Sequence, residues 1–322
     1  MNLELRTVMV AHKTLDAIDA AMDADGGASF RQWQGRVVPH LEDAYRGEDG
    51  GHRSHLGASV LGRECPREVW YTFRWVSKGA FEPRMVRLFN RGHIEEGRFI
   101  AMLLMIGCEV WQYDHNGKQF RIAWAEGHAG GSGDGVGRGL PDLPGTPAVL
   151  EFKTHGEKSF IKLAGPLDAW REHRKNKATR FPGEGVRSSK FEHFVQMQTY
   201  MRKMGLPAAV YMAVNKNTDD VYAEVIHLEP EFADQFLERG DKLVWMREPP
   251  KRISESPGFF KCRFCAKRPV CHLGAQPELN CRTCEHSAPG RAGTWHCTKH
   301  RALLDKDRQA NGCQDYTKLT GL

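Results

Sequence analysis

The sequence predicts a mixed α/β (α+β) fold: a central mixed sheet flanked by helices, followed by a small cysteine-rich, metal-binding module. Three observations lead there. Strand-like and helix-like stretches alternate through the middle of the chain, as expected for a sheet covered by helices. Residues 148–156, AVLEFKTHG, begin as a buried strand yet carry Glu151 and Lys153. From residue 250 onward apolar periodicity gives way to Cys, Pro and Gly, and seven of the nine cysteines follow residue 261.

In order along the chain, residues 13–45 read as one or two amphipathic helices, ending in the polar connection RGEDGGHRSH (46–55). A helix is expected over 58–73, carrying Cys65. Residues 84–106 form the longest apolar-periodic segment, with Met85, Leu88, Phe89, Phe99, Leu103 and Ile106 on a core-facing stripe. Strands are expected near 108–113, 119–125, 131–139 and 147–155. The turn between the last two is LPDLPGTP. Residues 158–180 read as helical and basic, and 189–205 as a helix stopped by Gly205. Two strands (208–215, 220–228) and a helix (230–246) complete the main body. The expected domains are 1–56, a helical extension; 57–275, the main domain; and 276–322, a ribbon-like module.

Forty-six basic and forty acidic residues leave a net charge of +6, which permits a polyanionic partner without requiring one. The excess is uneven: residues 171–190 hold seven Lys/Arg against two Glu. Arg174, Lys175, Lys177 and Arg180, with Trp170 and Phe181 interleaved, could follow a phosphate backbone while an aromatic ring stacks on a base. A solvated loop is the alternative. The longest apolar run, FIAMLLMIG (99–107), is too short to span a bilayer, and the N-terminal residues show no secretory h-region. A cytoplasmic location follows as the expectation, with reduced thiols available to metals rather than disulfides.

Successive strand side chains alternate faces, so Glu151 and Lys153 share one face and Phe152 takes the other. Asp134, in GGSGDGV, precedes that strand, and one hairpin would bring Asp134 and Glu151 together on one face. Two such carboxylates suit Mg²⁺ or Mn²⁺, which polarises a phosphoryl oxygen and acidifies bound water; Lys153 would assist that water or the developing charge. Glycines around Asp134 would admit a close backbone. In RGHIEEG (91–97), His93 and Glu96 share a helical face, and either could join the metal. Gly92 and Gly97 suggest that something packs closely there.

In chain order, RGHIEEG, GSGDG, EFK and QMQTY resemble the PD-(D/E)xK nuclease superfamily, in its RecB-like branch. The resemblance implies a restriction-endonuclease-like sheet. It implies His93, Asp134 and Glu151 as metal ligands, with Phe152 in the same shell, and Lys153 as the assistant of the water. Gln196 and Tyr200 would form its Gln-x-x-x-Tyr pair, although Gln198 could replace Gln196. No Pro precedes Asp134, a departure from the family pattern.

Cys65 with Cys262-x2-Cys265-x5-Cys271 resembles the iron–sulfur members of that superfamily, the AddB nuclease domain and CRISPR-adaptation exonucleases. There four thiolates hold a 4Fe–4S cluster; Zn²⁺ at the same cysteines is the alternative. Such a staple would close a very long loop, where a cross-link constrains the unfolded chain strongly. Cys281-x2-Cys284, Cys297 and Cys313 read as a zinc ribbon, with His296 and His300 as possible substitutes. Cys108 reads as a buried thiol.

The expected function is therefore a metal-dependent DNA exonuclease acting on ends or single strands in recombination, repair or end processing. A recombination or repair protein would be a partner. The alternative is a nuclease-fold DNA-binding or structural subunit without catalysis; retention of Asp134, Glu151 and Lys153 favours the enzyme. An RNase is a third option.

Overall fold

The computed structural model describes residues 7–38, 52–78 and 82–322; the expected helix beyond residue 38 and most of the 46–55 connection lie outside them. The chain divides into two compact units that interleave along the sequence: residues 1–45, 82–121 and 132–233 form one, and 46–81, 122–131 and 234–322 the other. The three domains expected above are consecutive stretches of sequence, whereas these units are not.

The first unit is built on a mixed sheet. Helices α1 (His12–Asp25) and α2 (Ala28–Val37) precede the long α4 (Pro83–Met105). Pro83 starts α4 at a position where a missing N–H costs nothing, and Phe99, Ile100, Ala101 and Leu103 form its buried stripe. Strands β2 (Glu109–Trp111), β5 (Gly135–Arg138), β6 (Ala148–His155), β7 (Ala208–Asn215) and β8 (Val221–His227) lie in that spatial order. All neighbours run antiparallel except β6 and β7, which are parallel. That one parallel pair needs a crossover, and α5 (Glu157–Ala164), α6 (Leu167–Lys175), α7 (Gly185–Ser189) and α8 (Phe191–Met204) provide it. Every residue of β7 is buried, and Ala148–Phe152 of β6 as well, as expected for strands covered on both faces. Gly205 ends α8 at φ 69°, the left-handed conformation expected of a helix-stopping glycine.

Several boundaries differ from the sequence reading. Residues 58–60 form a 3-10 turn and only α3 (Pro66–Phe73) is α-helical, because Pro66 sets its first turn after Cys65. The stretch read as one strand over 131–139 is two, β4 (Ala129–Ser132) and β5, interrupted at Gly133–Asp134. The long basic helix stops at Lys175, with Gly165 (φ 99°) and Pro166 dividing it. The close packing expected at Gly92 is absent: a Cβ there would meet nothing within 4 Å. At Gly135 the expectation of a close backbone is met, since a Cβ would lie 2.9 Å from the Trp111 carbonyl oxygen.

The second unit holds β1 (Leu56–Gly57), parallel to β4, with β3 (Arg121–Trp124) on the other side of β4. It also holds most of α9 (Pro230–Trp245), then α10 (Phe260–Arg263), α11 (Arg268–His272), the antiparallel hairpins of β9 (Ser287–Pro289), β10 (Trp295–Cys297) and β11 (Ala302–Leu304), and α12 (Lys306–Asn311). Its centre is a buried guanidinium. Arg282 lies 3.8 Å from the Trp75 ring centre and 4.5 Å from that of Trp295, and donates to the carbonyls of Phe73 and Ser54 at 3.0 and 2.7 Å. Such contacts let a charge stay in an apolar core. The mixed α/β class expected from the sequence is the class observed, and no described helix is long and apolar enough to cross a membrane.

Candidate active site

Strand β6 presents Glu151, Lys153 and His155 on one face of the first unit's sheet. Its register with β5 pairs Gly135 with Leu150, which sets Asp134 beside Glu151 at the end of β5. Asp134 is fixed there by a hydrogen bond: its Oδ2 accepts the Phe152 backbone N–H at 2.8 Å. Lys153 Nζ lies 3.8 Å from Asp134 Oδ2 and is in direct contact with Glu151 Oε1. The Glu151 side chain is fully buried.

Glu96, on α4, faces the same group. Burial first, then Asp134, raises its carboxyl to about 8, against the partial relief of Lys153. Burial and then Asp134 likewise push Glu151 up to about 7, opposed by Lys153. Burial alone would lower Lys153, but Glu151 and Asp134 outweigh it and shift the ammonium upward. Three carboxyls thus crowd one ammonium, and the charged forms of Glu96 and Glu151 are under-compensated. His93, expected on equal terms with Glu96, is half-buried and makes no hydrogen bond or ion pair to Asp134, Glu151 or Lys153 among the described residues.

Helix α8 closes the site. Gln196 Nε2 donates to Glu151 Oε2 and to Tyr200 Oη, both at 3.3 Å, and Tyr200 Oη donates to the Ser132 carbonyl at 2.8 Å. Of the two glutamines, Gln196 is the one bonded to Glu151. Gln198 points away, donating to the His227 carbonyl and accepting the Glu229 N–H at 2.8 and 2.7 Å. The Phe152 ring stacks on Phe99 with centres 5.1 Å apart, and its carbonyl, beside Glu151, accepts from Lys153 Nζ at 3.0 Å.

A divalent cation fits the donor set. Glu96, Asp134 and Glu151 supply hard oxygens, and Glu151 is a fully buried carboxylate whose charge is met by Lys153 alone. As they stand, no three His, Cys, Asp or Glu side chains among the described residues close to the spacing of a filled metal centre. The same holds for the cysteines, all of which are free thiols. Cys65, Cys262, Cys265 and Cys271 share the second unit, and after burial it is Cys65 and Cys271 that push the Cys262 thiol up. Cys281 is raised to about 11 by burial and then by Cys313, Cys284 and Cys297. His300 lies 3.8 Å from Cys313 Sγ and 3.2 Å from Asp315; His296 is in β10. Cys108 is buried, as expected, with its thiol raised to about 11.

Arg174 pairs with Asp19 at 2.7 Å and Asp16 at 3.3 Å, and Lys177 also contacts Asp16, so α1 neutralises both. Trp170 is buried against Tyr222 and Phe181, which denies its face to a base. Lys175 and Arg180 remain exposed.

Residues the sequence reading passed over extend the site along the sheet. Tyr211, the β7 partner of Glu151, is buried, and its hydroxyl lies 2.8 Å from His155 Nε2 and 3.0 Å from His193 Nδ1. Burial, and then neighbouring lysines, lowers both imidazoles to about 3, with His155 adding to the effect on His193. The period of two that links Glu151 to Lys153 also reaches His155, and that was the available signal.

No family model and no curated protein sequence matches this chain. Among solved structures it is similar to that of SSO0001, at 12% identity and a TM-score of 0.35, over 75% of this chain and 93% of that one. It is also similar to an alkaline exonuclease, LHK-Exo, from Laribacter hongkongensis, at 12% identity and a TM-score of 0.36, over 66% of this chain and 90% of that one. The same holds for LHK-Exo in complex with dAMP. These likenesses are distant.

Proposed function

We propose that the chain is a divalent-metal-dependent nuclease that hydrolyses DNA phosphodiesters, most simply from ends or in single strands. The observation that carries this reading is the group of Glu96, Asp134 and Glu151 around Lys153 on one sheet face, with Glu96 and Glu151 raised to about 8 and 7 by burial and mutual repulsion. Such a cluster lacks positive charge, and a Mg²⁺ or Mn²⁺ ion held by the three carboxylates would supply it, polarising a phosphoryl oxygen and acidifying a water. Lys153, kept protonated by Glu151 and Asp134, is placed to stabilise negative charge developing on the phosphate. Gln196 holds the Glu151 carboxylate in orientation, and Tyr200 anchors Gln196. The Asp134 bond to the Phe152 N–H fixes the second carboxylate.

The cysteines extend the proposal. Cys65, Cys262, Cys265 and Cys271 would hold a 4Fe–4S cluster, or Zn²⁺, and Cys281, Cys284, Cys297 and Cys313 a zinc ion, both as structural staples. Mutual electrostatic influence among the thiols of each set supports the grouping. Iron, sulfide and zinc content of anaerobically purified protein tests both assignments. Recombination or repair is the setting in which such an activity would be used, with a partner protein from that machinery.

The deciding experiment digests end-labelled single- and double-stranded DNA, with RNA beside it, in Mg²⁺, Mn²⁺ and chelator. Metal-dependent cutting that disappears in Glu151→Gln is expected. Metal-loaded wild type that cuts no nucleic acid would leave only a binding role for the fold.

A further inference from the structure

Aromatic and basic side chains also interleave at residues 259–268, FFKCRFCAKR, and there two of the rings are exposed. Phe264 is 81% exposed and Phe260 61%, against 1% for Trp170. Single exposed apolar side chains are ordinary on a protein surface. Two large rings four residues apart are a different matter. Phe260 opens the one-turn helix α10 and Phe264 follows its last residue, so the two share a side, about 6 Å apart along the axis. Phe259 packs against Phe260 with ring centres 4.9 Å apart.

Each exposed ring has a cation beside it. Lys261 Nζ lies 5.5 Å from the Phe260 ring centre, and the Arg263 guanidinium 5.6 Å from that of Phe264. Residues 251–277 hold six Lys/Arg and a single acid, Glu255, which pairs with Arg252 at 2.8 Å. Lys261 pairs with Glu64, 62% exposed, and an ion pair so open to water is weak enough to yield to a phosphate. Arg263 is exposed and forms no ion pair among the described residues. The backbone beneath is tied down. Arg263 donates its N–H to the Phe259 carbonyl at 2.8 Å and Cys265 its N–H to that of Cys262 at 3.1 Å. Lys267 Nζ donates to the Ser77 carbonyl at 2.9 Å, and Arg252 to the Cys271 carbonyl at 2.6 Å. The rings stand on a fixed frame, so little ordering is lost when a flat group settles on them.

We propose that Phe260, Lys261, Arg263 and Phe264 form a docking surface for a single strand of nucleic acid, with bases stacked on the two rings and phosphates on the two cations. Every base offers a π-face, so such a platform holds a strand whatever its sequence, while the positive excess attracts its backbone. A duplex keeps its base faces covered and gains only the charge. The surface lies in the second unit and shares no residue with the carboxylate group of the first, so it goes beyond the nuclease reading.

The test measures binding of fluorescent twelve-nucleotide strands to anaerobically purified Glu151→Gln protein, a background in which no strand is cut and bound metals stay in place. An oligothymidine strand, an abasic strand with the same phosphates, and a duplex are compared, the first two in deoxyribose and ribose forms. The strand with bases should bind about tenfold tighter than the abasic one, the scale of one or two stacked bases, and the sugar series with the larger contrast identifies the natural strand. Phe260→Leu and Phe264→Leu, which stay apolar and lose the flat ring, should each remove most of that contrast, and Phe264→Trp should keep it. Arg263→Gln should weaken every strand and flatten the slope of log K against log salt by about 0.7. Leu303→Ala, an exposed apolar side chain lost from β11, should change nothing. Iron and zinc contents are measured on each variant, because Phe264 stands between Cys262 and Cys265; Phe260 lies outside that run and gives the same readout without it. Equal binding of strands with and without bases, or a contrast that survives both leucine variants at unchanged metal content, overturns the surface. So does displacement of the base-bearing strand by polyglutamate as readily as of the abasic one, which would assign the patch to an acidic partner. A base contrast in protein whose wild type cuts nothing keeps the surface and removes the nuclease; cutting by wild type without a base contrast does the reverse.

Discussion

Gln196 makes two hydrogen bonds of 3.3 Å from one amide, to Glu151 and to Tyr200. Its value lies in holding a carboxylate that would otherwise turn toward Lys153 alone. Partners that orient a ligand in this way typically change activity by roughly 10–100-fold when removed. Gln196→Ala should therefore lower kcat by that amount and weaken Mg²⁺ activation, while leaving DNA binding in chelator unchanged; metal titrations of the rate check it. Tyr200→Phe, which keeps the ring and loses the bond to Ser132, should fall between wild type and Gln196→Ala. Glu96 is the other residue to watch, because its carboxyl is coupled to Asp134, Glu151 and Lys153. Glu96→Gln should lose more activity than His93→Gln when the two are assayed side by side.

Helix α4 shows what the sequence could say at the level of an element. Its extent was legible because a long 3.6-residue period overwhelms local noise; of the expected stripe, Phe99 and Leu103 are buried, whereas Met85, Leu88, Phe89 and Ile106 are only half-buried. The strand β6 was legible for a different reason: two charges inside an apolar run conflict with burial and ask for an explanation. That Glu96 is coupled to Asp134 and Glu151 was not legible, since His93 and Glu96 share a helical face and only packing sets which neighbours that face meets. Nor was the neutralisation of Arg174 and Lys177, which depends on Asp16 and Asp19 lying more than 150 residues earlier in the chain. Gly92 gave the wrong signal, since its small size answers to no neighbour. Gly92→Ala should therefore stabilise α4 by about 0.5–1 kcal/mol, read as a higher midpoint in urea.

At the scale of the whole molecule, buried titratable groups set opposing pH dependences. Glu151 and Glu96 have raised pKa values in the folded chain, so without metal their contribution is full below about pH 4.5 and is lost as pH rises through 7–8. His155 and His193 are lowered to about 3, so their contribution is present above about pH 6.5 and lost as pH falls toward 3. The two losses offset each other between about pH 4.5 and 6.5, so the chelated protein should melt highest near pH 5–6. Mg²⁺ or Mn²⁺ should raise its Tm more at pH 8 than at pH 6, because binding displaces protons at the lower pH. Thermal melts at both pH values, with Glu151→Gln as the comparison, check the sign: the variant should lose most of the metal-induced rise.

Strand β6 is hydrogen-bonded on both sides, to β5 and to β7, with its first five residues buried. Segments of that kind exchange their amide hydrogens only when the surrounding structure opens as one cooperative unit, whereas chain termini and hairpin loops open at far smaller free energies. Glu151 and Lys153 therefore ride on the part of the first unit that opens last, and local breathing elsewhere leaves their spacing intact. The candidate chemistry should thus fade only when the sheet around β6 unfolds.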